Sequence, residues 1–164
     1  LTRASHTVSD IPALLAEWQH AHPDVSLLYG DAFGSDHVIE QVARARLNQM
    51  GEGHLLLVGR GAKDPAANQL AYDLAAKLAR GRPHAVGFAG TARPTVEQAL
   101  NSLPDGPVVI LPYLLFEGRL FDSLQALASD RCMLAPPLAP DRMLVDDVVQ
   151  RLRDLHKDQS GGGV

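Results

Sequence analysis

Residues 54–65 read His54-Leu55-Leu56-Leu57-Val58-Gly59-Arg60-Gly61-Ala62-Lys63-Asp64-Pro65. The apolar run has the length and unbroken hydrophobicity of a strand buried on both faces, which a parallel sheet covered by helices requires. Asp64-Pro65 is a helix start, because a carboxylate at the cap accepts from orphan N–H groups and proline is tolerated in the first turn. Strand, tight turn and helix in direct succession predict a βα unit whose loop lies at the carboxyl edge of a sheet.

The unit recurs downstream. Leu70, Ala71, Leu74, Ala75 and Leu78 supply the buried stripe of the first helix. Residues 84–89 read as the next strand, and Pro94 with Thr95 and Gln98 opens a helix through a capping box. Residues 108–113 are a third strand, a helix follows over about 120–128, and a fourth strand lies around 131–135. The last helix carries Leu144, Val145, Val148, Val149 and Leu152 on one face. Four strands, each followed by a helix, predict an α/β, three-layer lobe with a four-stranded parallel sheet over residues 51–157. Residues 158–164, ending in three glycines and a valine, read as a flexible tail.

Upstream, Ser9 or Asp10 caps a helix that tolerates Pro12 in its first turn and repeats Ile11, Leu14, Leu15 and Trp18 at helical spacing. Residues 24–30, DVSLLYG, read as a strand. Ser35 or Asp36 opens a second helix with Val38, Ile39, Val42 and Leu47 on one face, broken at Met50-Gly51-Glu52-Gly53. Helix–strand–helix is no domain, since a lone strand lacks a partner. An internal repeat accounts for it. Phe33 to Leu47 aligns with Leu138 to Leu152, and His6 to Leu14 aligns with Arg119 to Leu127. Residues 1–50 are therefore expected to be the back half of a preceding lobe of the same kind. The first element begins within a few residues of Leu1, so the sequence reads as part of a longer chain.

Composition narrows the function. The chain has 164 residues, 46% hydrophobic and 21% charged, enough to bury a core. Lys plus Arg is 15 against Asp plus Glu at 19, which argues against a nucleic-acid partner. One cysteine, Cys132, excludes a disulfide framework, a thiolate zinc cage and a cysteine-held iron–sulfur cluster within this chain. The apolar run 108–116, interrupted by Pro112, is far shorter than the ~18 residues of a membrane span. With no leader pattern, the expected setting is the cytoplasm, with no membrane partner.

The turn Gly59 to Asp64 sits where α/β sheets bind ligands, although two glycines also serve an ordinary tight turn. It fits no nucleotide pattern. The dinucleotide fingerprint wants glycine where Asp64 stands, and the phosphate loop wants Gly-Lys followed by Ser or Thr. Leu111 to Arg119 (LPYLLFEGR) is a second strand-edge loop. If its strand neighbours the first, Arg60 and Arg119 approach one cleft suited to carboxylates, which arginine binds bidentately; solvated arginines are the commoner case. The seven histidines form no H-x-x-x-H pair. His20 and His22 read as surface residues, and His54 and His84 merely begin strands. His6 stands out only because the repeat aligns it with Arg119. Cys132 reads as a small buried hydrophobe.

Residues 55–69 (LLLVGRGAKDPAANQ), 87–100 (GFAGTARPTVEQAL) and 108–120 (VVILPYLLFEGRL) resemble, in order and spacing, the sirohydrochlorin cobaltochelatase family. His6-Thr7-Val8-Ser9-Asp10-Ile11-Pro12 resembles that family's histidine loop. The resemblance implies chelatase-like α/β lobes facing each other, the partner being a lobe from upstream chain or a second copy. It implies insertion of Co²⁺, or Ni²⁺ or Fe²⁺, into a tetrapyrrole during cobalamin or sirohaem synthesis. Two strand-edge histidines would hold the metal, which is a substrate, and take the pyrrole protons.

The sequence departs from that pattern in its complete lobe, where Arg60 and Arg119 stand at the two histidine positions. Arginine neither ligates metal nor acts as a base at neutral pH. The resemblance therefore assigns metal and catalysis to His6, and substrate binding to Arg60, Gly61, Asp64 and Arg119, with Glu117 as a weak candidate oxygen ligand. Two other readings stand beside it: a non-catalytic lobe that binds a tetrapyrrole or metal or serves as an interaction domain, and a flavodoxin-like phosphate binder, which Asp64 opposes.

Overall fold

The computed structural model describes residues 10–30 and 37–160, with side chains through 157. In chain order the elements are α1 (Ile11–Ala21), α2 (His37–Met50), β1 (His54–Gly59), α3 (Pro65–Ala79), β2 (His84–Phe88), α4 (Val96–Asn101), β3 (Val108–Pro112), α5 (Arg119–Gln125), β4 (Cys132–Leu134) and α6 (Arg142–Ser160). The predicted caps Ser9, Ser35 and Asp36, and the candidate metal ligand His6, lie outside the described residues.

The four strands form one parallel sheet in the order β2-β1-β3-β4, as expected from the repeated strand–helix pattern. Alternation along each strand divides the apolar runs between two faces. Leu55, Leu57, Val86, Phe88, Val109 and Leu111 pack under α2 and α3. Leu56, Val58, Val108, Ile110 and Cys132 pack under α4 and α5. The caps of α3 and α4 are local and form as their chemistry dictates, whereas Asp10 stands at the N-cap of α1 with no side-chain cap bond. Asp64 accepts from Ala66 N at 2.9 Å. Thr95 and Gln98 make both bonds of the capping box, at 3.2 and 2.9 Å.

Helix α2 lies on the first face of this sheet, with Ile39, Val42, Ala43 and Leu47 in its core. Residues that the repeat groups with the preceding segment thus complete the core of the lobe that follows. Helix α6 packs against α2 and buries Leu144. Arg46 joins the two. Its guanidinium donates to Pro137 O and Leu138 O at 3.0 Å and Pro140 O at 3.2 Å, and pairs with Asp141 at 3.2 Å.

Residues 24–30 correct an expectation. The predicted strand is a turn at 23–25 followed by chain with no ladder among the described residues. The segment is held instead by Gln19, whose side chain donates to Val25 O at 2.6 Å and accepts from Leu27 N at 3.2 Å. A strand exists only with a partner, and the sheet of this chain offers it none. Helix α1 forms as predicted yet buries no residue; Leu14 is 63% exposed, and Ile11 and Trp18 are exposed beside it. A helix this amphipathic ordinarily packs its apolar stripe. Among the described residues, no helix is long and apolar enough to cross a membrane.

Candidate functional site

The sheet order creates a crevice. From β1 the chain moves to β2 on one side and then to β3 on the other, with α3 over the first face and α4 and α5 over the second. The loops after β1 and β3 therefore part at the carboxyl ends of adjacent strands, which is the switch point where open α/β sheets bind ligands. Arg60 follows β1 directly, and Arg119 opens α5 beyond the loop after β3. Both side chains are exposed, and neither has a hydrogen-bond or ion-pair partner among the described residues.

The backbone under Arg60 is built by its neighbours. Its carbonyl accepts from Gly90 N at 2.8 Å, and Gly59 O accepts from Ala89 N at 3.0 Å. A Cβ at residue 90 would stand 2.5 Å from Arg60 O, so only glycine fits there. Gly61 takes φ +78° with Phe88 and Ala92 against it. Asn68 then locks the turn, accepting from Ala62 N at 2.7 Å and donating to Ala62 O at 2.9 Å. The Asp64 carboxylate is occupied in capping α3, so its contribution to this edge is to hold the turn.

The loop after β3 is pinned at both ends. Tyr113 N donates to Val58 O at 2.7 Å, while Leu114 O and Leu115 O accept from Leu138 N and Ala139 N at 2.9 and 2.8 Å. At its far end Gly118 O accepts from Asp122 N at 2.9 Å. Phe116, Glu117 and Gly118 project between these anchors and are exposed.

Among the described residues, no three His, Cys, Asp or Glu side chains group as a metal site. His54 and His84 begin strands at the opposite, amino edge, and His22 stacks on Trp18. Cys132 is buried in β4. Asn68, Gly90 and Phe116 were not singled out by sequence reasoning. Gly90 had a signal in the turn between strand and capping box; for Asn68 and Phe116 the signal is only their neighbours in space.

A parallel sheet between helical layers, with an arginine on each of the two loops at its switch point, defines an open α/β lobe of the class that carries its ligand sites at that edge. The family model CbiX matches residues 1–50 and 54–155, and the chain belongs to that family of class II chelatases, as the three motifs led us to expect. The chain is similar to a sirohydrochlorin ferrochelatase of Priestia megaterium, 31% identical over 137 residues, covering 76% of this chain and 51% of that protein. It is also similar to a sirohydrochlorin cobaltochelatase of the same organism, 28% identical over 141 residues, covering 77% and 46%. The chain thus spans about half the length of these relatives. The fold is shared with SirB from Bacillus subtilis with Fe3+, at TM-score 0.77 and 20% identity, covering 99% of this chain and 71% of that one. It is shared likewise with the cobalt complex of SirB from Bacillus subtilis subspecies spizizenii, at TM-score 0.74, 21% identity, and 99% and 68% coverage.

Proposed function

We propose that this chain is the carboxy-terminal part of a chelatase that inserts a divalent metal into sirohydrochlorin or a close relative. The observation that carries the reading is the pair of exposed guanidiniums, Arg60 and Arg119, without partners among the described residues, on loops flanking the switch point. Sirohydrochlorin is rimmed with carboxylates, and guanidinium forks bind carboxylates strongly. Residues 51–157, covered by α2, are the substrate-holding lobe in a cytoplasmic protein. Residues 1–50 include the back half of the facing lobe, whose completion would cover the exposed stripe of α1 and give residues 24–30 a strand partner. The metal is a substrate, Co²⁺ or its neighbours Ni²⁺ and Fe²⁺, and His6 of the facing lobe is its ligand and proton acceptor. The named metals of the relatives support the class of ion and leave its identity to experiment.

Replacing Arg60 or Arg119 with alanine should weaken sirohydrochlorin binding about tenfold each, less than a fully buried charge-assisted bond provides. Absorbance titration of the purified protein checks this, and affinity unchanged in the double variant would remove the arginines from the site.

The metal arm is separate. With one candidate imidazole, this chain should bind Co²⁺ only weakly, and His6→Ala should abolish that binding at the site. Calorimetry showing tight one-to-one binding that survives His6→Ala would dismiss His6.

A second reading is favoured by one observation. Neither Arg60 nor Arg119 is able to ligate a metal, so this lobe fits a non-catalytic tetrapyrrole-binding module as well. Full-length protein incubated with sirohydrochlorin and Co²⁺ distinguishes the two. Insertion faster than the spontaneous rate supports the chelatase, and binding without insertion supports the module.

A further inference from the structure

Phe116 is 66% exposed, the highest value among the exposed large hydrophobic residues described. The other strongly exposed apolar side chains, Leu14, Val145 and Leu152, lie on the apolar stripes of α1 and α6. Phe116 lies instead on the crevice loop, three positions before Arg119. The chain on either side of it is held by the hydrogen bonds of Tyr113, Leu114 and Leu115 and by the Gly118 carbonyl. An exposed aromatic ring on a pinned loop at the carboxyl edge of the sheet, three positions from a guanidinium without a partner among the described residues, has the form of a binding platform.

We propose that Phe116 is a positioning residue that stacks on the face of the macrocycle while Arg60 and Arg119 take carboxylates on its rim. This rests on the reading that the crevice holds a polycarboxylate tetrapyrrole, and it divides recognition between two chemistries. The guanidiniums read charge and would accept any suitably spaced polycarboxylate. The ring reads a flat conjugated face and so selects a macrocycle over a flexible polyacid.

The test uses this protein with two probes: uroporphyrin I, a metal-free porphyrin rimmed with carboxylates, and butanetetracarboxylate, a flexible polycarboxylate with no ring. Phe116→Ala should weaken porphyrin affinity about tenfold and leave tetracarboxylate affinity unchanged. Phe116→Trp should retain porphyrin affinity, with indole fluorescence quenched and the Soret band shifted on binding. Phe116→Leu, apolar without a ring, should behave like the alanine variant. Arg60→Ala and Arg119→Ala should weaken both probes. Thermal midpoints should be unchanged across the Phe116 series, since the side chain is exposed.

Porphyrin affinity within twofold of wild type in Phe116→Ala, or full affinity in Phe116→Leu, would overturn the stacking role alone. A wild-type protein that binds tetracarboxylate and no porphyrin would overturn the tetrapyrrole reading, and the role of Phe116 with it.

Discussion

Arg46→Met should lower the free energy of unfolding by about 2–3 kcal/mol, the upper range for hydrogen bonds to a charged group and less than the ~3–5 kcal/mol of a fully buried pair, because this pair is only partly buried. The Arg46 and Asp141 side chains are 12% and 14% exposed. Methionine fills much of the same space, but it leaves the Asp141 carboxylate without its cation and strips the carbonyls of Pro137, Leu138 and Pro140 of their donor. Those carbonyls belong to the connection between β4 and α6, and Asp141 itself caps α6 through Met143 N at 2.9 Å. The loss should therefore loosen α6 from α2 as well as weaken one pair. Denaturant unfolding checks this as a fall in midpoint at constant m-value. Arg46→Lys retains the charge without the planar fork and should lose an intermediate amount. A loss below about 1 kcal/mol in Arg46→Met, the level of a surface pair, would show that the clamp carries little of the fold's stability.

Gly61→Ala is the second large effect, expected at about 2–4 kcal/mol. Two costs combine there. The backbone at φ +78° is one that L side chains enter at ~1–2 kcal/mol. The new Cβ would also stand 2.7 Å from Ala92 Cβ and 2.9 Å from Phe88 Cβ, and overpacking a well-filled site costs ~1–3 kcal/mol. Gly81 separates the two contributions, because it has φ +86° with no atom within 4 Å of the place a Cβ would occupy. Gly81→Ala should lose only the backbone part, about 1 kcal/mol. Equal losses at the two positions, read from unfolding midpoints, would mean that the contact with Phe88 and Ala92 relaxes freely. Because Arg60 precedes Gly61, the same variant should also weaken sirohydrochlorin binding under the proposed function.

What was legible in the sequence follows from the range of the interactions involved. The run Leu55 to Val58 is apolar on both faces, so a buried parallel strand could be read from four adjacent residues. The Asp64 cap and the Thr95–Gln98 box were legible because each closes within a few residues. The motif loops at Arg60 and Arg119 were legible as strand edges for the same reason. Their placement across one crevice was not. It depends on β1 pairing with β3 and on α3 and α5 leaving over opposite faces, which no local pattern encodes.

The sequence by itself determined the βα units, their caps, the glycine at residue 61 and the family. Each rests on hydrogen bonds or apolar stripes among near neighbours in the chain. Only the tertiary structure decided the rest. It set α2 on the sheet that follows it, through Ile39, Val42, Ala43 and Leu47. It denied residues 24–30 a ladder, because an amphipathic pattern states a strand's preference and only a partner's N–H and C=O groups make one. It gave Arg46 four acceptors contributed by residues 137–141, and it left Phe116 exposed at the carboxyl edge of the sheet. Those outcomes depend on contacts between segments far apart in the chain, where burial and pairing are settled by packing rather than by local propensity.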